Sequence, residues 1–184
     1  KHVWTFLFVT SVAPVLAGEG IDLGDLSASG AWDVRDGWLV PTDLSSIDGY
    51  SGEGPRIVLP RTISGDFAFS CEFTGPESSG AGGPVVYFGL RPDGTGYAFR
   101  HISHWGTAVL HRIGTDGLFR QVGYATGVAL GPGEVHSLAV RVQDGRATVT
   151  IDGKTPIESV QLQEYRGGGL ALAWAAKAFH PGDA

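Results

Sequence analysis

The sequence predicts an all-β protein, a two-sheet antiparallel sandwich with a short apolar segment at its N-terminal side. Three observations carry that expectation. Twenty-nine glycines and ten prolines in 184 residues fall between apolar runs, with no collagen-like period. The Asp-Gly pair occurs six times, at Asp36-Gly37, Asp48-Gly49, Asp93-Gly94, Asp116-Gly117, Asp144-Gly145 and Asp152-Gly153; both residues tolerate the positive φ of tight hairpin turns. From Ile21 onward no stretch of ten or more residues keeps a 3.6-residue apolar period, whereas short β-rich runs are frequent.

At the N-terminal side, Lys1 and His2 precede an apolar run from Val3 to Leu16 that ends in Val15-Leu16-Ala17, small or compact residues that suit a signal peptidase. Thr10, Ser11 and Pro14 interrupt the run, and it falls short of the roughly twenty residues that cross a bilayer as a helix. Residues 1–17 are read as a signal or membrane-associating segment, with Trp4, Phe6, Leu7 and Phe8 as the membrane-associating side chains. Residues 18–184 are read as one extracytoplasmic domain, periplasmic or secreted.

Strands are expected near Trp32 to Val34, Trp38 to Val40, Arg56 to Leu59, Asp66 to Phe73, Val85 to Leu90, Tyr97 to Ile102, Ala108 to Ile113, Leu118 to Tyr124, His136 to Gln143, Ala147 to Ile151 and Leu170 to Trp174. So many strands cannot each bury one face in a single open sheet, and two packed sheets resolve this. In the hairpin centred on Asp144-Gly145, Leu138, Val140 and Val142 share one face while Ala139 and Arg141 share the other, so one face is core and the other wet. Cys71 shares strand parity with Phe67, Phe69 and Phe73 and is read as a core thiol rather than a nucleophile.

The charge of −6, with three lysines against ten arginines and no basic stripe, excludes a nucleic-acid partner. No His-Glu-x-x-His motif exists. His101 and His104 are three apart, which places them on opposite faces of a strand, so with His111 they are read as satisfied or exposed imidazoles rather than metal ligands. Gly80, Gly82 and Gly83 lead into a strand, not a helix, and do not cradle a phosphate. Trp32 and Trp38 are read as core, and Trp105, in a His-Trp-Gly turn, as the exposed aromatic. Glu72, Arg91, Tyr97, Arg100 and Trp105 are the candidate binding residues. No catalytic residue, cofactor or metal is assigned.

The chain resembles the concanavalin A-like lectin/glucanase jelly-roll superfamily, and within it the bacterial 3-keto-disaccharide hydrolase or laminin-G/glucanase-like domain. The resemblance rests on Trp32 to Val40, Asp66 to Phe73, Ser79-Gly80 with Val85 to Arg91, Gly96-Tyr97, Val140 to Gly145 with Val149 to Lys154, and Gly168 to Leu172. It implies a jelly roll and sugar chemistry. The glucanase branch carries its carboxylates as Glu-x-Asp-x-Glu on one strand, and this chain has Glu72 alone on its strand. Relatives that hold calcium use loop carboxylates; Asp93, Asp116 and Asp152 could serve if their loops converge, though each is accounted for by its Asp-Gly turn.

The functional expectation is therefore binding rather than catalysis. The reading placed first is an accessory subunit of a membrane-associated assembly; the alternatives are a secreted carbohydrate-binding module and a glycoside hydrolase of modified disaccharides. The expected partners are a membrane protein complex or a glycan.

Overall fold

The structure, a computed structural model, describes residues 6–7, 32–35, 38–41, 56–74, 83–102, 105–131 and 133–175; before Arg56 it describes backbone only. Among these residues it forms thirteen strands: β1 (Phe6–Leu7), β2 (Trp32–Arg35), β3 (Trp38–Pro41), β4 (Arg56–Ile63), β5 (Phe67–Thr74), β6 (Gly83–Leu90), β7 (Gly96–Ile102), β8 (Thr107–Ile113), β9 (Phe119–Ala125), β10 (Val135–Gln143), β11 (Arg146–Ile151), β12 (Lys154–Gln161) and β13 (Gly168–Ala175). They make two antiparallel sheets. The first runs β12-β11-β10-β5-β1-β3-β2 and the second β4-β13-β6-β7-β8-β9.

Alternation builds the core between them. On β5, Phe67, Phe69, Cys71 and Phe73 are buried, and they join Leu138, Val140 and Val142 of β10 with Ala147, Val149 and Ile151 of β11. The second sheet contributes Ile57, Val86, Phe88, Phe99, Leu110 and Leu172 to the same cluster. Phe67 and Phe88 meet across the sheets with ring centroids 5.6 Å apart. Side chains of this size contribute roughly 1.5–3 kcal/mol each when fully buried. Cys71 is inside this core, and burial, with Glu72 beside it, pushes its thiol up to about 12, which suits an inert core residue.

The Asp144-Gly145 hairpin forms in the expected register, with Leu138 opposite Ile151 and Val142 opposite Ala147. Asp144 and Gly145 have φ of 50° and 68°, the double positive φ of a type I′ turn, and Asp152 and Gly153 repeat it at 50° and 73°. That second turn leads into β12, a strand absent from the sequence expectation. β6 is buried along nearly its whole length because Val85, Tyr87, Ala98, Ala171 and Ala173 form a second cluster on the other face of the second sheet.

Of the four residues read as membrane-associating, Phe6 and Leu7 form β1: Phe6 lies opposite Leu39 of β3 and Phe73 of β5, and Leu7 opposite Glu72 of β5. Trp4 and Phe8 lie outside the described residues, as do the side chains of Trp32, Trp38 and Trp174. No helix among the described residues is long and apolar enough to cross a membrane.

Candidate binding cleft

Three connections converge at one end of the sandwich: the β6–β7 turn from Arg91 to Thr95, the β8–β9 turn from Gly114 to Leu118, and the β12–β13 loop from Leu162 to Gly167. Between them lies a cleft of about 310 Å³. Its sides carry Arg91, Asp93, Tyr97, Arg112, Asp116, Arg120, Gln163, Glu164, Tyr165 and Arg166, brought from β7, β8, β9 and the three connections.

Turn chemistry fixes the two outer turns. Asp93 accepts from the Thr95 backbone N–H at 3.0 Å and the Thr95 hydroxyl at 2.7 Å, and the hydroxyl bond is the main reason its carboxyl is held below the usual range. Asp116 accepts from both terminal nitrogens of Arg120, at 3.0 and 2.5 Å, and from the Leu118 N–H at 3.1 Å. That bidentate guanidinium bond holds the Asp116 carboxyl down at about 2.

The third wall is held from the second sheet. Tyr97 and Arg112 are directly opposite each other on β7 and β8. The Tyr97 hydroxyl donates to the Gln163 carbonyl at 2.6 Å, and burial pushes its pKa up. Arg112 donates to Gln163 Oε1 at 3.1 Å and to Glu164 Oε2 at 2.5 Å. Arg91 donates to the Glu164 carbonyl. Glu164 sits at φ 58°, a left-handed conformation that costs a non-glycine residue about 1–2 kcal/mol, and these bonds hold it there.

Tyr165 closes the cleft. Its ring lies 6.3 Å from Tyr97 and 6.5 Å from Phe88, and its hydroxyl donates to the Gly65 carbonyl at 3.1 Å. Desolvation, with Asp66 nearby, pushes the phenol up to about 12. Gly89 makes room for it: a Cβ there would stand 3.0 Å from the Tyr165 ring, on a backbone at φ 62°.

Of the five binding candidates from sequence, the cleft collects two, Arg91 and Tyr97. The other three are separated from it and from one another. Glu72 is on β5, in the opposite sheet, and alternates with the buried Cys71 and Phe73, which turns it away from the core. Arg100 follows Phe99 on β7 and takes the outer face of the second sheet, 5.1 Å above the Phe119 ring. Trp105 occupies the β7–β8 turn, 38 % exposed, at the far end of a seven-residue strand and so roughly 20 Å from the cleft. The candidate residues Glu72, Arg91, Tyr97 and Arg100 are thus divided by strand parity along β7 and by the sheet assignment of β5.

The histidines and loop aspartates are placed as follows. His101 is fully buried on the core face and bonded at 2.8 Å to the Val128 carbonyl. His111 lies on the opposite face of the same sheet, so the two do not converge; His104 lies outside the described residues. Asp93 and Asp116 share the cleft, whereas Asp152 lies at the β11–β12 turn, bonded to His136 at 2.8 Å and to the Ser137 N–H at 2.8 Å. Among the described residues no three His, Cys, Asp or Glu are placed to hold a metal ion. Arg112, Arg120, Gln163, Glu164, Tyr165 and Arg166 went unrecognised in the sequence; only the Asp116-to-Arg120 spacing across an Asp-Gly turn hinted at one of them.

The fold and this cleft define a jelly-roll sandwich with a polar, tyrosine-walled recess at its end. No family model matches the chain, and no curated protein sequence matches it. Solved structures share the fold. The carbohydrate-binding module CBM66 from Bacillus subtilis superposes with a TM-score of 0.60 at 16% identity, over 79% of this chain and 84% of its own. LamAcat from Zobellia galactanivorans gives 0.56 at 14% identity, over 98% and 83%. Sheep galectin-11, in complex with glycerol, gives 0.52 at 16% identity, over 65% and 92%. The fold is the jelly-roll sandwich that these structures share; the resemblance to the lectin/glucanase superfamily and to its 3-keto-disaccharide hydrolase domain rests on the sequence motifs.

Proposed function

We propose that this protein is a carbohydrate-binding domain that seats a sugar in the end cleft. The observation that carries the reading is the cleft itself: a recess whose hydrogen-bonding groups are already fixed by one another and whose wall is an aromatic ring. Sugars present hydroxyls to fixed polar groups and C–H faces to aromatic rings, and a site assembled before binding avoids the cost of ordering its side chains. One protein of similar fold carries carbohydrate binding in its name, the CBM66 module.

Binding is favoured over hydrolysis by the state of the carboxylates. A glycosidase needs a carboxylic acid that stays protonated to donate to the leaving oxygen. Asp93 and Asp116 are both shifted the other way, and Glu164 is engaged by Arg112. Glu72 stands in the other sheet. The accessory-subunit reading gains no specific feature from the described residues.

Retention on immobilised polysaccharides tests the proposal. Wild-type protein is expected to be retained by at least one polymer, and Tyr165→Ala to lose that retention while remaining folded. Equal retention of the two would remove the cleft as the site. We place the domain outside the cytoplasm on the strength of residues 1–17, and the mass of the native protein in separated fractions checks this. A soluble species beginning near Gly18 fits a secreted module and would lack β1, which lies between β5 and β3; a species that retains residues 1–17 in washed membranes restores the docked-subunit reading.

A further inference from the structure

We propose that the sugar taken by the cleft is anionic, carrying a carboxylate or a sulfate; this rests on the binding role proposed above. The chain as a whole is negative, at −6, yet the cleft gathers four of its ten arginines, Arg91, Arg112, Arg120 and Arg166, against three carboxylates, Asp93, Asp116 and Glu164.

How those charges are paired matters more than their number. Arg120 is closed on Asp116 through two hydrogen bonds, and Arg112 is held on Glu164. Asp93 turns its oxygen to Thr95, inside its own turn. Among the described residues that leaves two cations with no carboxylate hydrogen-bonded to them, although the Arg91 charge acts on Asp93. Arg91 donates to a neutral backbone carbonyl of Glu164. Arg166, exposed at the cleft, makes no hydrogen bond or ion pair among the described residues.

A neutral sugar has nothing to offer a spare guanidinium beyond ordinary hydroxyl bonds. A carboxylate or sulfate matches its planar fork with two parallel acceptors and a full charge. The negative remainder of the chain repels polyanions generally, so attraction at this point is a selective device rather than a property of the whole surface.

The test is native affinity electrophoresis of the full chain through gels containing polygalacturonate, dextran sulfate or unmodified dextran, at low and at high salt. Retardation by polygalacturonate or dextran sulfate, weakened by salt, and a Kd raised about ten-fold by Arg166→Ser, are the expected results. Retardation by only one of the two polyanions identifies the anionic group as carboxylate or sulfate. Among the described residues Arg166 holds no partner, so its variant should keep the wild-type circular dichroism and melting temperature; Arg91→Ser serves as a second variant.

Three results overturn the proposal. If dextran retards the protein in a Tyr165-dependent way and neither polyanion does, the binding role stands and the anionic specificity falls. If a polyanion retards wild type, Arg166→Ser and Arg91→Ser equally, the attraction lies elsewhere. If no polymer retards the protein at either salt concentration, both the specificity and the binding role proposed for the cleft fall together.

Discussion

Arg112 on β8 holds the carboxylate of Glu164, 52 residues further along the chain, at 2.5 Å, and so fastens the β12–β13 loop onto the second sheet. The loop joins an edge strand of one sheet to an inner strand of the other, so its position sets the width of the cleft. Glu164 is 68 % exposed, and a pair this open to solvent contributes at most about 1 kcal/mol to folding. Arg112→Ala should therefore shift the urea midpoint only slightly while lowering sugar affinity by about ten-fold or more, because the released loop must be reordered on binding. Urea denaturation and polysaccharide retention on the same preparation check the two halves. A large loss of stability with unchanged retention would reverse the assignment.

Tyr165 separates the ring from the hydroxyl. Tyr165→Phe removes the bond to the Gly65 carbonyl and should cost about 0.5–1.5 kcal/mol, leaving the aromatic wall and sugar retention in place. Tyr165→Ala removes the wall as well and should abolish retention. If the phenylalanine variant loses retention as completely as the alanine one, the hydroxyl rather than the ring makes the decisive contact.

The strands that were legible in the sequence are those with one wet face or a turn that announces itself. Leu138, Val140 and Val142 alternate, and Asp144-Gly145 marks the reversal, so β10 and β11 could be read directly. β12 could not: only Ile157 is well buried along it, and Pro156 argues against a strand. Its place at the edge of the first sheet explains both, since an edge strand tolerates proline and buries little. Pro60 hid the second half of β4, another edge strand, in the same way. The cleft was half legible for a related reason. Arg91 and Tyr97 lie on strands and turns that could be placed, whereas Gln163 to Arg166 follow the strand that was missed. Glu72 was misgrouped because parity gives the face of a strand but not the sheet to which the strand belongs.

Glycine positions give a graded stability series. At Gly167 a Cβ would stand 2.1 Å from the Ile63 carbonyl oxygen, a clash with backbone, on a φ of 79°. At Gly89 the nearest atom is the Tyr165 ring at 3.0 Å, which can give a little. At Gly94 nothing lies within 4 Å and only the φ of 81° is unfavourable. Alanine should cost about 1 kcal/mol at Gly94, more at Gly89, and most at Gly167, where a backbone shift is unavoidable. Of the three, Gly89→Ala should also weaken sugar retention, because it displaces Tyr165. Thermal melts in parallel give the order, and a Gly167→Ala protein as stable as Gly94→Ala would contradict the packing described for that loop.

His111 gives the fold a dependence on acid. Its ring stands edge-on to Phe119 at 5.8 Å, and burial, with the nearby Arg100 charge adding to it, pushes its pKa down to about 4. In the unfolded chain an imidazole titrates near 6.5. Between these values the unfolded state binds a proton that the folded state refuses, so stability rises with pH across that window. The contribution is fully present above about pH 6.5 and is lost as the pH falls toward 4; the whole shift corresponds to about 3 kcal/mol. His101, whose pKa burial also lowers, acts in the same direction and leaves a residual slope. His111→Leu should therefore flatten, without abolishing, the fall in urea-unfolding free energy from pH 7 to pH 4, and the wild-type His111 ring should show no titration step near pH 6.5 by NMR. Parallel pH profiles for wild type and variant would mean that this imidazole is solvated, and that the outer face of the second sheet is open where Phe119 covers it.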